Sequence, residues 1–261
     1  ALILLPILYV CVQYSSDAVF FGIVQFVIFL ALIEFYQLPR KKLIFPEKFL
    51  GVIIAVCIST AFIWPAFSLA AGLTAAFFIM IVIFVLKTNT LEKLMAYPVS
   101  AALTFFGPLY LVFTLNHIFL LRKEFGPNVI FFALTVVFVG DTGAYLIGKF
   151  WGTHKLAAIT SPKKTWEGSI SGIITGILGG YGISQIFFPE LMSLPAVFVF
   201  SIAIQVTAQF SDLGESMFKR AAGVKDSSNL LPGHGGFFDR VDSLILALPV
   251  FYYLIKYAGM K

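Results

Sequence analysis

A chain of 261 residues, 59% hydrophobic and only 12% charged, is not an ordinary soluble domain, where about a quarter of residues carry charge. Its mean hydropathy of +0.95 and 30 phenylalanines place it among polytopic membrane proteins. One span takes about 20 apolar residues, which leaves room for roughly eight or nine spans and no separate soluble domain. The net charge of +5 does not point to nucleic acid, because bases gather in the cytoplasmic loops of any inner-membrane protein. Cys11 and Cys57 lie in apolar runs and read as small packing residues, not as a disulfide or metal pair.

Apolar segments fall near 1–13, 18–38, 49–64, 69–86, 95–120, 128–148, 168–188, 194–211 and 242–258. The expected fold is therefore all-α, a polytopic membrane protein of about nine transmembrane helices. The first segment lacks the basic flank and small-residue cleavage site of a signal peptide. Only Trp64-Pro65 separates the third and fourth, which suits a tight hairpin. With nine alternating segments, Arg40, Lys41, Lys42, Lys48, Lys87, Lys93, Lys149, Lys155, Lys163, Lys164, Lys219, Arg220, Lys225 and Arg240 share one side. Only Arg122, Lys123, Lys256 and Lys261 fall on the other, a split of 14 to 4 that makes the first side cytoplasmic. The polar chemistry divides the chain into N-terminal transmembrane helices, 1–120, and a C-terminal catalytic region, 121–261, with its active site on the cytoplasmic side.

Two segments carry small residues every fourth position: Gly140, Ala144, Gly148 and Gly152, then Gly168, Gly172, Gly176 and Gly180. Such stripes let helix backbones approach closely in lipid, and packing is the expected role. Glu34 lies near a basic loop and is read as a structural residue snorkelling to the interface. Asp141 lies about two turns inside the sixth segment, a costly depth that implies a function or a specific partner. In the following loop, Ser161-Pro162-Lys163-Lys164-Thr165 precedes the glycine-striped helix, and helix N-terminal amides beside lysines suit a phosphate. His154 reads as a surface residue.

Polarity is most concentrated in Ser211–Asp242, which holds five of the 13 acids and four of the 18 bases. Gln205, Gln209, Asp212, Ser216 and Lys219, at steps of four and three, form one polar helix face with Glu215 beside it. Asp212 and Glu215 are one turn apart, and Asp239 and Asp242 repeat that spacing. Carboxylates without clustered Cys or His suit Mg²⁺ or another hard cation, not Zn²⁺. Gly233-His234-Gly235-Gly236 offers unobstructed backbone amides, and Lys219, Arg220, Lys225 and Arg240 supply positive charge. Together these are the parts of a phosphoryl- or nucleotidyl-transfer site. The sequence has no P-loop and no Ser-His-Asp order.

The run Ser216-x-Phe218-Lys219-Arg220, Lys225-Asp226-x-Ser228, Leu231-Pro232-x-His234-Gly235-Gly236-Phe237-x-Asp239-Arg240-Val241-Asp242 resembles the signature of the integral-membrane phosphatidate cytidylyltransferases (CDP-diacylglycerol synthases). Asp141, Ala144-Tyr145, Gly148 and Ser161-Pro162-Lys163-Lys164-Thr165-x-Glu167-Gly168 resemble that family's second block; over residues 1–120 the likeness is one of hydropathy. The resemblance implies that CTP and phosphatidate give CDP-diacylglycerol and pyrophosphate, with Mg²⁺ required. It also implies an all-helical homodimer with a cavity open to cytoplasm and lipid. On this basis Asp212 and Asp239 are the expected principal metal ligands, sharing one centre, with Asp141 and Glu215 as further ligands or supporting groups. Lys219, Arg220, Lys225 and Arg240 are expected to hold phosphates, and Asp226 and Asp242 join the catalytic set. His234 is either an acid, base or donor or a structural residue of its turn. Ser161, Lys163, Lys164, Thr165, Ser216, Gly235 and Gly236 are the expected substrate contacts. Two other readings stay open at this point: a CTP-dependent polyprenol or dolichol kinase, which would release CDP, and an ion transporter. The Asp-Gly-x-x-Ala-Arg helix of a CDP-alcohol phosphotransferase is not found.

Overall fold

The computed structural model of the chain describes residues 4–38, 46–64, 66–187, 193–228, 230 and 235–258. Helices dominate: α1 (Leu4–Tyr14), α2 (Asp17–Phe35), α3 (Lys48–Ile63), α4 (Leu69–Lys87), α5 (Leu91–Gly107), a π-helical turn (Pro108–Phe113), α6 (His117–Phe125) and α7 (Asn128–Trp151). The strands β1 (Lys155–Ala157) and β2 (Ser161–Thr165) follow, then α8 (Trp166–Phe187), α9 (Leu194–Ala221), α10 (Phe238–Val241) and α11 (Leu244–Tyr257). Each predicted apolar segment coincides with a helix. Among the described residues six helical stretches are long and apolar enough to cross a membrane, and α3 is a shorter apolar helix. This is a multi-pass membrane architecture. Among the described residues the all-α expectation has one exception, the antiparallel β1–β2 hairpin, which pairs Lys155 with Thr165 and Ala157 with Ser161.

The chain forms two compact units, residues 1–22, 117–217 and 242–261 in the first and 23–116 with 218–241 in the second. In the first, α7 and α8 pack backbone to backbone along their glycine stripes. A β-carbon on Gly143 would lie 2.1 Å from Thr175 Oγ1, one on Gly168 would lie 2.7 Å from the Ala144 carbonyl oxygen, and one on Gly172 would meet the Ala144 β-carbon at 3.0 Å. The packing role read from the sequence therefore holds. The Ser171 hydroxyl donates to the Gly143 carbonyl at 3.2 Å and the Thr175 hydroxyl to that of Val139 at 3.4 Å, supplying polar links between the helices. Phe251 of α11 stacks on Phe132 of α7 at 5.5 Å and meets Phe200 of α9 edge-on at 5.7 Å.

The second unit is organised around Phe35, whose ring packs against Tyr36, Phe106, Tyr110, Phe218 and Phe238. Ser68 and Thr90 cap α4 and α5 through the Ala71 and Lys93 amides, each satisfying one orphan donor. The lipid-facing character is plain on α4, where Phe78, Val85 and Leu86 are exposed; in water such a face would be a liability. At 28 residues, α9 is about 42 Å long by the usual rise. That exceeds a hydrocarbon core of about 30 Å, so its polar C-terminal turns have length to extend beyond the apolar layer.

Candidate active site

In the first unit α9 carries Asp212 and Glu215 one turn apart, with Glu215 fully buried. The preceding residue brings in a third acid. Ser211's hydroxyl donates to the Asp242 carbonyl and accepts from the Leu246 amide at 3.2 Å, which pins the start of α11 to α9. Consequently one oxygen from each of Asp212, Glu215 and Asp242 lies within 4.8 Å of the others. At roughly that separation each pair of like charges costs about 3 kcal/mol for an effective dielectric of 20, so the arrangement calls for a cation. Lys164 of β2 supplies one, its Nζ lying 2.5 Å from Asp212 Oδ2. The donor set is three carboxylates with no thiolate or imidazole, so the cluster fits a hard metal ion.

Asp141 stands beside this group. It accepts from the Ser243 hydroxyl at 3.3 Å and from Gln205 Nε2 at 3.5 Å, and it lies within electrostatic range of Asp212 and Lys164. Ser216 Oγ reaches Asp212 Oδ1 at 3.5 Å, and Gln209 bonds both the hydroxyl and the carbonyl of Ser169. The polar stripe of α9 thus binds neighbouring elements at each turn.

The hairpin that delivers Lys164 is fastened at its base by Glu167. That carboxylate accepts from the Thr153 amide (3.2 Å) and hydroxyl (2.7 Å) and from the His154 amide (3.2 Å), and it contacts His154 Nδ1 at 2.6 Å. His154 is indeed exposed. Thr165 is buried, and its hydroxyl accepts from the Gly168 amide at 3.2 Å, taking up one of the α8 N-terminal donors expected to be open to phosphate. Ser161 is half-buried and Lys163 exposed.

The second unit holds the rest of the motif. Here α9 ends at Ala221, and Gly223 just beyond it has a φ of +74°, which suits glycine. Lys219 Nζ contacts Asp239 Oδ1 at 2.6 Å. Asp239 Oδ2 accepts from the Gly236 amide (2.8 Å) and from the Ser227 amide (3.0 Å) and hydroxyl (2.7 Å). Burial opposes the charge on Asp239, yet Lys219 and these donors outweigh it and hold the carboxyl down at about 2. Gly235 adopts φ +75°, and a β-carbon there would lie 2.7 Å from Asp239 Oδ2. Arg220, Lys225, Asp226 and Arg240 are exposed. His234, with Leu231, Pro232 and Gly233, lies outside the described residues.

In the first unit the acidic group is Asp212, Glu215 and Asp242; in the second, Asp239 is engaged by Lys219, Ser227 and Gly236, and a centre shared by Asp212 and Asp239 stays an expectation of the sequence. Glu34 departs from its reading: it is 3% exposed, not snorkelling, and is bonded to Ser227, Ser228 and Phe238.

Comparison with known proteins meets this geometry. A sequence model described as "Cytidylyltransferase family" matches residues 1–258. A phosphatidate cytidylyltransferase of Staphylococcus epidermidis is 34% identical over 239 residues, 88% of each chain. One of Staphylococcus saprophyticus is 34% identical over 206 residues, covering 79% of this chain and 76% of the relative. One of Haemophilus influenzae is 40% identical over 131 residues, 49% of this chain and 46% of the relative. The match spans both motif blocks and the helices that bring three carboxylates and a lysine together, so the chain belongs to the cytidylyltransferase family.

Proposed function

We propose that this chain transfers the cytidylyl group of CTP to phosphatidate, giving CDP-diacylglycerol and pyrophosphate for phospholipid synthesis. The observation that carries the reading is the carboxylate cluster of Asp212, Glu215 and Asp242 with Lys164 at its edge, in a chain whose relatives are named for this activity. The attacking oxygen of phosphatidate is already anionic, so no protein nucleophile is required. A bond forms from that oxygen to the α-phosphorus of CTP, the α–β bridging bond breaks, and pyrophosphate leaves with its electron pair. The obstacle is repulsion between a phosphomonoester of about −2 and a triphosphate, and catalysis consists of cancelling that charge and aligning the groups.

Asp212, Glu215 and Asp242 would hold a divalent cation, with Asp141 supporting them from the side. Magnesium bound there supplies positive charge against the phosphate oxygens. Burial fixes Glu215, and the Ser211 bonds fix Asp242, so the carboxylates are set before substrate arrives. Lys163 and Lys164 on the hairpin, and Lys219, Arg220, Lys225 and Arg240 on the other motif block, are assigned to phosphates. Ser161, Thr165, Ser216, Gly235 and Gly236 are assigned to substrate contacts, and Asp226 and His234 remain in the catalytic set. Asp239 orients Lys219 and the Gly236 amide. The distribution of bases supports a cytoplasmic site, the bacterial relatives support an inner membrane, and the family resemblance supports a homodimer.

The test is purified protein with phosphatidate, CTP and Mg²⁺, with both products quantified. Pyrophosphate and CDP-diacylglycerol should appear in equal amounts, and dCTP should serve as an alternative donor. Release of CDP with a newly phosphorylated lipid would establish a kinase instead, and ion uptake into proteoliposomes without turnover would establish a transporter.

A further inference from the structure

Glu34, near the C-terminal end of α2, is placed by the fold where no local signal would put it. Its carboxylate receives three donors from residues 193 to 204 positions later in the chain. Oε1 accepts from the Ser228 hydroxyl at 2.7 Å, and Oε2 accepts from the Phe238 amide at 2.8 Å. The single Ser227 hydroxyl proton is shared between Glu34 Oε2 at 3.0 Å and Asp239 Oδ2 at 2.7 Å, so one side chain links the two carboxylates. A β-carbon on Gly236 would come within 2.2 Å of Glu34 Oε2, and glycine there is what allows the approach. The Ser227 and Ser228 hydroxyls and the Phe238 amide set donors against its charge. A buried carboxylate at the edge of a membrane helix is expensive to keep, and stability alone would be served by an apolar residue.

We infer that Glu34 is a positioning residue for the transfer reaction: from α2 it holds Ser227, Ser228 and Phe238 in the places that present Lys219, Asp239 and the Gly235–Gly236 backbone to substrate phosphates. This rests on the function proposed above. Glu34 touches no reacting atom and acts through Ser227, Ser228 and the Phe238 amide. Glutamine can retain all three contacts, its oxygen accepting at the Oε2 position and its amide donating to the Ser228 hydroxyl. Alanine retains none.

Two measurements in detergent micelles test the assignment. Glu34→Ala should lower kcat about 100-fold, the cost of a misplacement near 1 Å, while KM for CTP changes little. Glu34→Gln should recover at least about a tenth of wild-type turnover. Limited trypsin digestion then compares cleavage after Lys225, two residues before Ser227, with cleavage after Lys155, in the hairpin of the other unit. Glu34→Ala should accelerate cleavage at Lys225 several-fold relative to Lys155. Equal acceleration at both sites would mean general destabilisation and overturn the inference, as would wild-type kcat in folded Glu34→Ala. A wild-type enzyme forming no pyrophosphate would defeat the proposed function instead, and the cleavage ratio would still decide whether Glu34 holds these residues.

Discussion

Asp212, Glu215 and Asp242 bring three carboxylate oxygens within 4.8 Å of one another, and charges that close behave as one unit under substitution. Asp212→Asn, Glu215→Gln and Asp242→Asn should each abolish most turnover. Each should also raise the Mg²⁺ needed for half-maximal rate at least about tenfold, since even supporting residues of metal sites cost that much. A double variant should be scarcely worse than either single one. Asp239→Asn should also lower turnover, because its carboxylate orients Lys219 and the Gly236 amide. It should cost stability as well, on the order of 2 kcal/mol for breaking charged hydrogen bonds. The pH dependence has a definite sign. An unfolded Asp titrates near about 3.9, while Asp239 is held at about 2. Its contribution is present above about pH 4 and is lost as pH falls through about 2. The gap in melting temperature between wild type and Asp239→Asn should therefore be constant above that range and close within it. Spacing alone does not separate Asp239 from Asp242, because three residues is one helical turn. In the structure α10 ends at Val241 and α11 starts at Leu244, so the turn between them gives the two acids different surroundings.

At the level of elements, regular period was readable and long-range partnership was not. The glycines of α7 and α8 advertise their packing because a four-residue repeat is local information, and the close approaches at Gly143, Gly168 and Gly172 bear it out. The hairpin was missed because Lys155–Ala157 and Ser161–Thr165 are short and polar and carry no alternating apolar pattern. Its anchor, Glu167, is four donors' worth of geometry that spacing does not encode. The helix pair yields a matched prediction. Gly168→Ala places a β-carbon 2.7 Å from the Ala144 carbonyl oxygen, a backbone atom that cannot step aside. Overpacking of this kind costs about 1–3 kcal/mol, so the melting temperature should fall by several degrees. Activity should fall with it, because α8 follows directly on the strand that carries Lys164. Gly182→Ala, also on α8, meets nothing within 4 Å and should be neutral or gain up to about 1 kcal/mol from helix propensity. Equal losses in the two variants would show that helix interior glycines, not the α7–α8 contact, set the stability.

Over the whole molecule, hydropathy located every long apolar helix among the described residues because a membrane helix must satisfy its own backbone and expose apolar side chains to lipid. The division into two units was not legible. One unit draws on residues 1–22, 117–217 and 242–261, and nothing in any of these stretches names the others. Orientation is the global property that sequence does encode, through the 14 bases on one side and four on the other. Lys163 on the hairpin and Asp226 beyond α9 are both exposed, and each lies in a loop that the charge rule places in the cytoplasm. With Cys11 and Cys57 replaced by serine, Lys163→Cys and Asp226→Cys should each react with an impermeant maleimide in inverted membrane vesicles and stay protected in intact cells. The distinction matters chemically, because CTP is charged and reaches its site from the aqueous side on which it is made. An internal control is a cysteine at Lys123, in the base-poor set and exposed, which should label with the opposite sidedness. If Lys163→Cys and Asp226→Cys label from opposite faces, the nine-segment alternation fails, and with it the assignment of both motif blocks to one substrate.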